Sequence, residues 1–518
     1  MENINGEAAP AAESAAAAER AAPTARAAAV VPAAAARALA RERLFVLLFG
    51  ALVIGVAFWS LQFATASVCC GDFDAYYHFR WSRMLLDGAL AGQFPPSFDA
   101  LPLTTLNARD YVDHHFLFHV FQIPFTLFGD MQRGAKLGTW LFACLAVFAL
   151  HWLLVRYRVS YPLIWLVLIL GSAAPFLYRI HMGKAMSVSI VLLVAGIHLL
   201  FERRYAWLLP LAFVFALTYD MFLLLWVAAG VWTAVVLWGE RRVEWRPLAF
   251  VVAGSLLGYV VNPYFPHNLQ LIYQHVMMKV TAKDFSTAVG GEWYPYNTLE
   301  FIANCGPAFA AMIVGYVAFR DSTRREQQRP LFFLLFATFL MLVNMRWRRF
   351  SEYWPPFAIV FAAFALQPFI ERMRARYTSV PAANDDRATD EPAAPAAENA
   401  TGGWPSSRDE HEGAAVGIVC GAALYLLALY AVPGVFTGRA AAFGGFLLGG
   451  AALALVLLYA WPRGWTRALI MAFALAAFGV MGWYHRITVG DIAGMPGPDQ
   501  YRAGMQWITA NVPPGEPV

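Results

Sequence analysis

Long apolar runs recur along the chain, each close to the roughly 20 residues that a helix needs to cross a hydrocarbon core about 30 Å thick. They lie near residues 44–66, 138–155, 161–178, 185–201, 205–219, 221–238, 247–262, 301–319, 330–345, 352–370, 415–435, 441–461 and 467–484. Backbone in lipid must satisfy its own hydrogen bonds, so these runs predict helices. The short alternating segments of a membrane barrel are missing. A further stretch, "FLFHVFQIPFTLFG" at 116–129, is short enough to lie on a membrane surface or dip into it.

Positive charge assigns the sides. With 116–129 uncrossed and the N-terminus cytoplasmic, the connections "RYRVSY", "ERRY", "GERRVEWR", "RDSTRREQQR", "ERMRARY" and "WPRGWTR" all fall inside, where Lys and Arg accumulate. Crossing by 116–129 would move all six outside. The expectation is an all-α polytopic membrane protein of about 13 spans. Residues 1–43 read as a disordered cytoplasmic Ala-rich tail, and 44–370 as a transmembrane catalytic core with outer loops 67–137 and 263–300. Residues 371–414, poor in apolar side chains and rich in Pro, Ala and charge, read as a disordered cytoplasmic linker. Residues 415–484 form the C-terminal transmembrane helices, and 485–518 an extracytoplasmic tail or the start of a soluble domain.

Composition agrees: 59% of residues are hydrophobic and 14% charged, against about a quarter charged in soluble proteins. The net charge of +4 is small, and nothing in its distribution supports nucleic-acid binding. The five cysteines lack paired metal-site spacing. Abundant alanine suggests a bacterium of high GC content, hence a bacterial inner membrane with the outer loops facing the periplasm.

The outer loops carry the chemistry. In "GDFDAYYHFRW" (71–81), Asp72 and Asp74 offer the hard oxygens that Mg²⁺ or Mn²⁺ prefers. Asp110, Asp113, His114 and His115 in "NARDYVDHHFLFH" could add to or support such a site. The plainer reading is a solvated loop with incidental acids. Glu292 follows Gly290 and Gly291 in "GGEWYP", a hinge able to deliver a carboxylate; the plainer reading is an interfacial turn. Arg346, Arg348 and Arg349 in "MRWRRFSEYWPP", Arg179, His181 and Lys184 in "YRIHMGKAMS", and Arg80 break the inside bias of positive charge. Snorkelling to headgroups explains such cations; so does an anion they must meet, for which arginine's fork matches phosphate oxygens. Together these residues suggest a metal ion beside a phosphate-bearing lipid.

On these residues the chain resembles the catalytic subunit of oligosaccharyltransferases and, more broadly, the GT-C superfamily of membrane glycosyltransferases that use polyprenyl-linked donors. The resemblance implies that "FDAYYHFR" supplies the catalytic Asp74, that "GGEWYP" supplies Glu292 for the metal and acceptor site, and that Arg349 in "RRFSEYWPP", 57 residues further on, contacts donor phosphate. The family's second acidic motif is replaced by "RIHMGKAMS", where His181 could substitute as a ligand. The tryptophan-rich acceptor motif does not occur before Val518. The implied activity is metal-assisted transfer of a sugar or oligosaccharide from a polyprenyl phosphate or pyrophosphate to an unknown protein, lipid or glycan acceptor on the extracytoplasmic side. Asp74 and Glu292 would be catalytic; Asp74, Glu292, Asp72 and His181 would hold the ion; Arg349, Arg179, Lys184 and Arg80 would bind the donor phosphate. A transporter or flippase of lipid-linked sugars, or an inactive family member, is the other reading, although no internal repeat of the kind common in transporters is visible.

Overall fold

The structure, a computed structural model, describes residues 33–63, 74–98, 111–276, 290–319, 327–378, 407–430, 465–493 and 498–513. Most of the expected N-terminal tail and linker, the expected span 441–461, and Asp72 and Asp110 lie outside these residues. The chain divides into two units, Met1–Phe45 and Val46–Val518, and the site described below belongs wholly to the second.

The described residues form helices and turns without a strand, as an all-α membrane protein should. In order the helices are α1 (Ala33–Gln62), α2 (Asp74–Leu90), α3 (Phe116–Gln122), α4 (Met131–Arg156), α5 (Pro162–Leu170), α6 (Ala174–Ile180), α7 (Met186–Phe201), α8 (Leu208–Thr218) and α9 (Leu223–Glu240). They continue with α10 (Arg246–Val261), α11 (His267–Val276), α12 (Thr298–Ala318), α13 (Gln328–Arg346), α14 (Trp354–Thr378), α15 (Ser407–Tyr430), α16 (Trp465–Ala493) and α17 (Pro498–Asn511).

Each expected span other than 441–461 coincides with a helix or, at 161–178, with the pair α5 and α6. Fewer of them can cross alone. Among the described residues seven helices are long and apolar enough, or eight if the bent pair α5 and α6 counts as one span. Helices α7 and α10 have 16 residues each, about 24 Å of rise, and α8 has 11. The runs at 185–201 and 247–262 are themselves about this short, and the one at 205–219 includes a 3₁₀ turn, Tyr205–Trp207, ahead of α8. The 116–129 piece becomes the short α3 followed by a 3₁₀ turn at Ile123–Leu127, too short to span.

Two features of the sequence prepare the site. Between α5 and α6 the stretch "GSAAP" stops one helix at Gly171 and starts the next with Pro175 in its first turn. Proline fits a first helical turn and pushes the residue before it away from helical angles, and the chain bends by 84° there. At the start of α14, Pro355 and Pro356 again occupy the first turn, and every residue from Ser351 to Ala365 is buried. A helix buried on all sides anchors whatever turn precedes it, and that turn carries Arg349 and Glu352.

Close helix contact elsewhere rests on glycine. A Cβ on Gly254 of α10 would stand 2.2 Å from the Leu209 carbonyl oxygen of α8, so the backbones meet as small-residue helix interfaces do. Gly254→Leu is therefore expected to cost about 1–3 kcal/mol through overpacking and to lower the thermal midpoint in detergent. Gly230→Leu, where nothing lies within 4 Å of the added Cβ, should leave it unchanged.

Candidate functional site

Helix α2 begins at Asp74, an acid in the first turn, where the helix dipole favours negative charge. Asp74, Tyr77, His78 and Trp81 follow at the i, i+3, i+4, i+7 spacing that places side chains on one helical face, and all four line a cavity of about 810 Å³. The crowded aromatic and ionisable stretch "DAYYHFRW" thus becomes one wall of a chamber. Arg80, Lys184, Tyr219, Glu292 and Arg349 line it from other parts of the chain.

Lys184 lies on the turn after α6 and its Nζ sits 2.7 Å from Asp74 Oδ2. The turn comes close because Gly183 lacks a side chain: a Cβ there would stand 2.8 Å from Ala75 Cβ on α2. Gln122 of α3 ties the same region together, accepting from Ser82 Oγ at 3.0 Å and donating to the Gly183 carbonyl at 3.5 Å.

Glu292, on a 3₁₀ turn at Gly291–Trp293, is gripped from both sides. Arg179 Nη1 donates to its Oε2 at 2.7 Å and Arg349 Nη1 to its Oε1 at 2.9 Å. Arg349 also donates to Tyr219 Oη at 2.5 Å and lies over the Trp293 ring. Arg179 in turn donates through Nε to Glu352 Oε2 at 3.0 Å, and Glu352 is wholly buried. Burial by itself would raise the Glu292 carboxyl, but the guanidiniums of Arg179 and Arg349 outweigh it and hold it at about 2. Glu292 is therefore an ionised strut between two arginines throughout the physiological range.

Arg348 seats the Glu292 loop on the Arg349 turn. Its backbone N–H donates to the Tyr294 carbonyl at 3.2 Å and its Nε to the Pro295 carbonyl at 3.1 Å. Its two terminal nitrogens donate to the two oxygens of Glu300, each at 2.8 Å, and α12 starts there with an Asn297 side-chain cap. The outer arginine cluster thus separates into a structural clasp, Arg348, and a cavity-facing cation, Arg349.

Among the residues expected at the site, Asp74, Glu292, Arg349, Lys184 and Arg80 share one cavity, and Asp72 lies outside the described residues. Two expectations change. Arg179, expected to touch donor phosphate, stands one layer behind the cavity with its guanidinium committed to Glu292 and Glu352. His181, expected as a metal or phosphate ligand, is buried away from the cavity; its Nδ1–H donates to the Leu177 carbonyl at 2.8 Å and its ring meets Phe58 edge-on.

A divalent ion does not fit the described donors. Both described carboxylates expected to hold it are neutralised by side-chain cations, Asp74 by Lys184 and Glu292 by two arginines. An ion could bind only by breaking those pairs and standing against their positive charge. Asp113 is turned from the cavity toward Trp81 and His119. Among the described residues no group of three His, Cys, Asp or Glu side chains is arranged to hold a metal. What remains is a surplus of positive charge: Arg80, Arg179, Lys184 and Arg349 against Asp74, Glu292 and Glu352.

Sequence reasoning missed Glu352 and Tyr219, and of the buried set around His78 it singled out Asp113 and His115 but not His78 or His119. Glu352 stood in plain view beside Arg349 in "RRFSEYWPP", where an acid at the lip of an apolar helix reads as solvated. Its partner Arg179 is 173 residues away, so only the folded chain shows the pairing.

No protein-family model matches the chain, and no curated protein matches it. Among solved structures it is similar to ArnT from Cupriavidus metallidurans bound to undecaprenyl phosphate, at 16% identity and a TM-score of 0.48, over 92% of this chain and 82% of that one. It is also similar to the oligosaccharyltransferase of Archaeoglobus fulgidus in the apo form, at 15% identity and a TM-score of 0.47, over 91% of this chain and 58% of that one.

Proposed function

We propose that the chain is a membrane glycosyltransferase that takes a sugar from a polyprenyl-phosphate donor and passes it to an acceptor in the cavity beside α2. The observation that carries this reading is the convergence of Asp74, Arg80, Lys184, Glu292 and Arg349 on a single cavity of about 810 Å³. In the cavity three cations, Arg80, Lys184 and Arg349, face two carboxylates, Asp74 and Glu292, which leaves room for an anion, and phosphate matches the planar fork of arginine.

The donor phosphate meets Arg80 and Arg349, with Lys184 beside them. As the bond from the anomeric carbon to the phosphate oxygen lengthens, negative charge grows on the phosphate. Fixed guanidiniums stabilise that charge without having to reorganise. Glu292 keeps Arg349 aimed by holding it and Arg179 in one line, and Glu352 fixes Arg179 from behind. Asp74, whose carboxylate is largely exposed although paired with Lys184, orients the acceptor. Tyr76 and Tyr77 supply aromatic faces for the sugar ring. In this reading the chemistry faces the extracytoplasmic side of a bacterial inner membrane, which the Arg-rich connections assigned to the other side support. In this reading the charge of the leaving phosphate is met by side chains instead of a protein-held Mg²⁺ or Mn²⁺.

Release of polyprenyl phosphate from synthetic polyprenyl-phosphate hexoses by the purified protein tests the reading. No release, together with movement of the intact lipid-linked sugar across vesicles, would favour a flippase. Arg349→Lys keeps the charge but cannot reach Glu292, Tyr219 and phosphate at once, so the donor KM should rise more than about tenfold. Glu292→Gln leaves two arginines without their strut and should lower kcat/KM by about 10²–10³, measured by the same release. Addition of EDTA should change the rate less than about twofold; a loss of more than about tenfold, restored by Mn²⁺, would show that an ion is required.

A further inference from the structure

Behind the α2 wall runs a buried chain of hydrogen bonds to which the scheme above gives no task. Asp113 accepts from Trp81 Nε1–H and from the His115 backbone N–H, each at 2.9 Å, and lies 2.8 Å from His119 Nδ1. His119 Nε2 lies 2.7 Å from His78 Nδ1. An ionised carboxylate only accepts, so His119 carries its proton on Nδ1. With one proton on each ring, His119 Nε2 accepts from His78 Nδ1–H, and the lone pair of His78 is left on Nε2. His78 lines the cavity one helical turn beyond Asp74.

A packing role does not account for the arrangement. The contact between α2 and α3 is already pinned by Ser82 and Gln122. Burying a carboxylate and two imidazoles carries a desolvation cost that apolar side chains would avoid.

We infer that His78 is the general base for an acceptor hydroxyl, with His119 and Asp113 as positioning residues that set its tautomer and balance its charge. This rests on the transferase reading. The acceptor oxygen bonds to the anomeric carbon while the bond from that carbon to the phosphate oxygen breaks, its electron pair leaving with the lipid phosphate. The acceptor proton passes to His78 Nε2 and then to water. The imidazolium keeps its Nδ1–H on His119, whose own Nδ1–H stays on Asp113.

The groups around His78 are Asp74 and Tyr77 on α2, His114, His115 and His119 on and before α3, and Lys184 on the turn after α6. Burial first, with the nearby Lys184 ammonium adding to it, holds His78 well below the ordinary imidazole range. It is therefore neutral at pH 7, with no proton on the Nε2 lone pair. Burial would raise Asp113, but His119 and Trp81 bring it below its ordinary value, which keeps it an acceptor.

The test uses the full chain in detergent with a polyprenyl-phosphate hexose as donor, glycerol as hydroxyl acceptor, and imidazole as the probe. His78→Ala should lower kcat by about 10²–10⁴ with the donor KM within about twofold, and imidazole should restore activity in proportion to its neutral form. His78→Gln, which preserves a hydrogen bond to His119, should be as slow and unrescued, with an unchanged thermal midpoint. Asp113→Asn should lower kcat without raising donor KM. Wild-type rates in both His78 variants, or a folded His78→Ala that stays inactive at every imidazole concentration, would overturn the inference. A wild-type protein that turns over while the His78 variants do so equally well removes only the base; a wild-type protein that releases no lipid phosphate from any donor removes the transferase reading itself.

Discussion

Glu292 between two arginines is the interaction on which the site depends. It joins a loop, the turn before α14 and the bent segment α5–α6, which are far apart in sequence. A carboxylate in this setting stabilises its neighbours only while both guanidiniums remain, and the reverse also holds: loss of one partner from a buried ionic set strands the other charge, at a typical cost of about 3–5 kcal/mol. The same economy sets the site's chemistry. Because the carboxylates are already matched, the charge that stays available to a ligand is positive.

The scaffold makes this possible through backbone more than through side chains. Proline and glycine bend the chain between α5 and α6, which brings Arg179 behind the cavity and Lys184 to its edge. The missing side chain at Gly183 lets that edge touch the first turn of α2. Buried α14 fixes the turn that holds Arg349 and Glu352, and Arg348 clasps the Glu292 loop onto it. Four separate devices therefore hold side chains that come from loops, where positions would otherwise be loose.

The helical character of the chain was legible in its apolar runs, and their positions correspond to helices throughout the described residues. Among the described residues α7, α8 and α10 are shorter than a full crossing; at 185–201 and 247–262 the apolar runs are themselves that short. At the site, Asp74, Glu292 and Arg349 were legible as short motifs, and the cations through their departure from the inside bias. Their bonding was not. A motif shows that a carboxylate is present, not whether a cation already occupies it, and so the expectation of a metal site arose from Asp74 and Glu292 read without Lys184, Arg179 and Arg349. His181 shared a motif with Lys184, yet the turn points the two in different directions. The Asp113–His119–His78 chain was hidden for a similar reason, since its members fall in two segments whose meeting only the packing of α2 on α3 creates.

The central claim is that a cationic cavity built from distant segments recognises a lipid phosphate. Calorimetric titration of the purified protein in EDTA, with a short-chain polyprenyl phosphate and with the matching polyprenol, tests it most directly. The account predicts saturable binding of the phosphate at one site, more than about tenfold tighter than the alcohol, a difference of about 1.4 kcal/mol or more. Equal affinity for the two, or phosphate binding that appears only when Mg²⁺ or Mn²⁺ is added, would contradict it.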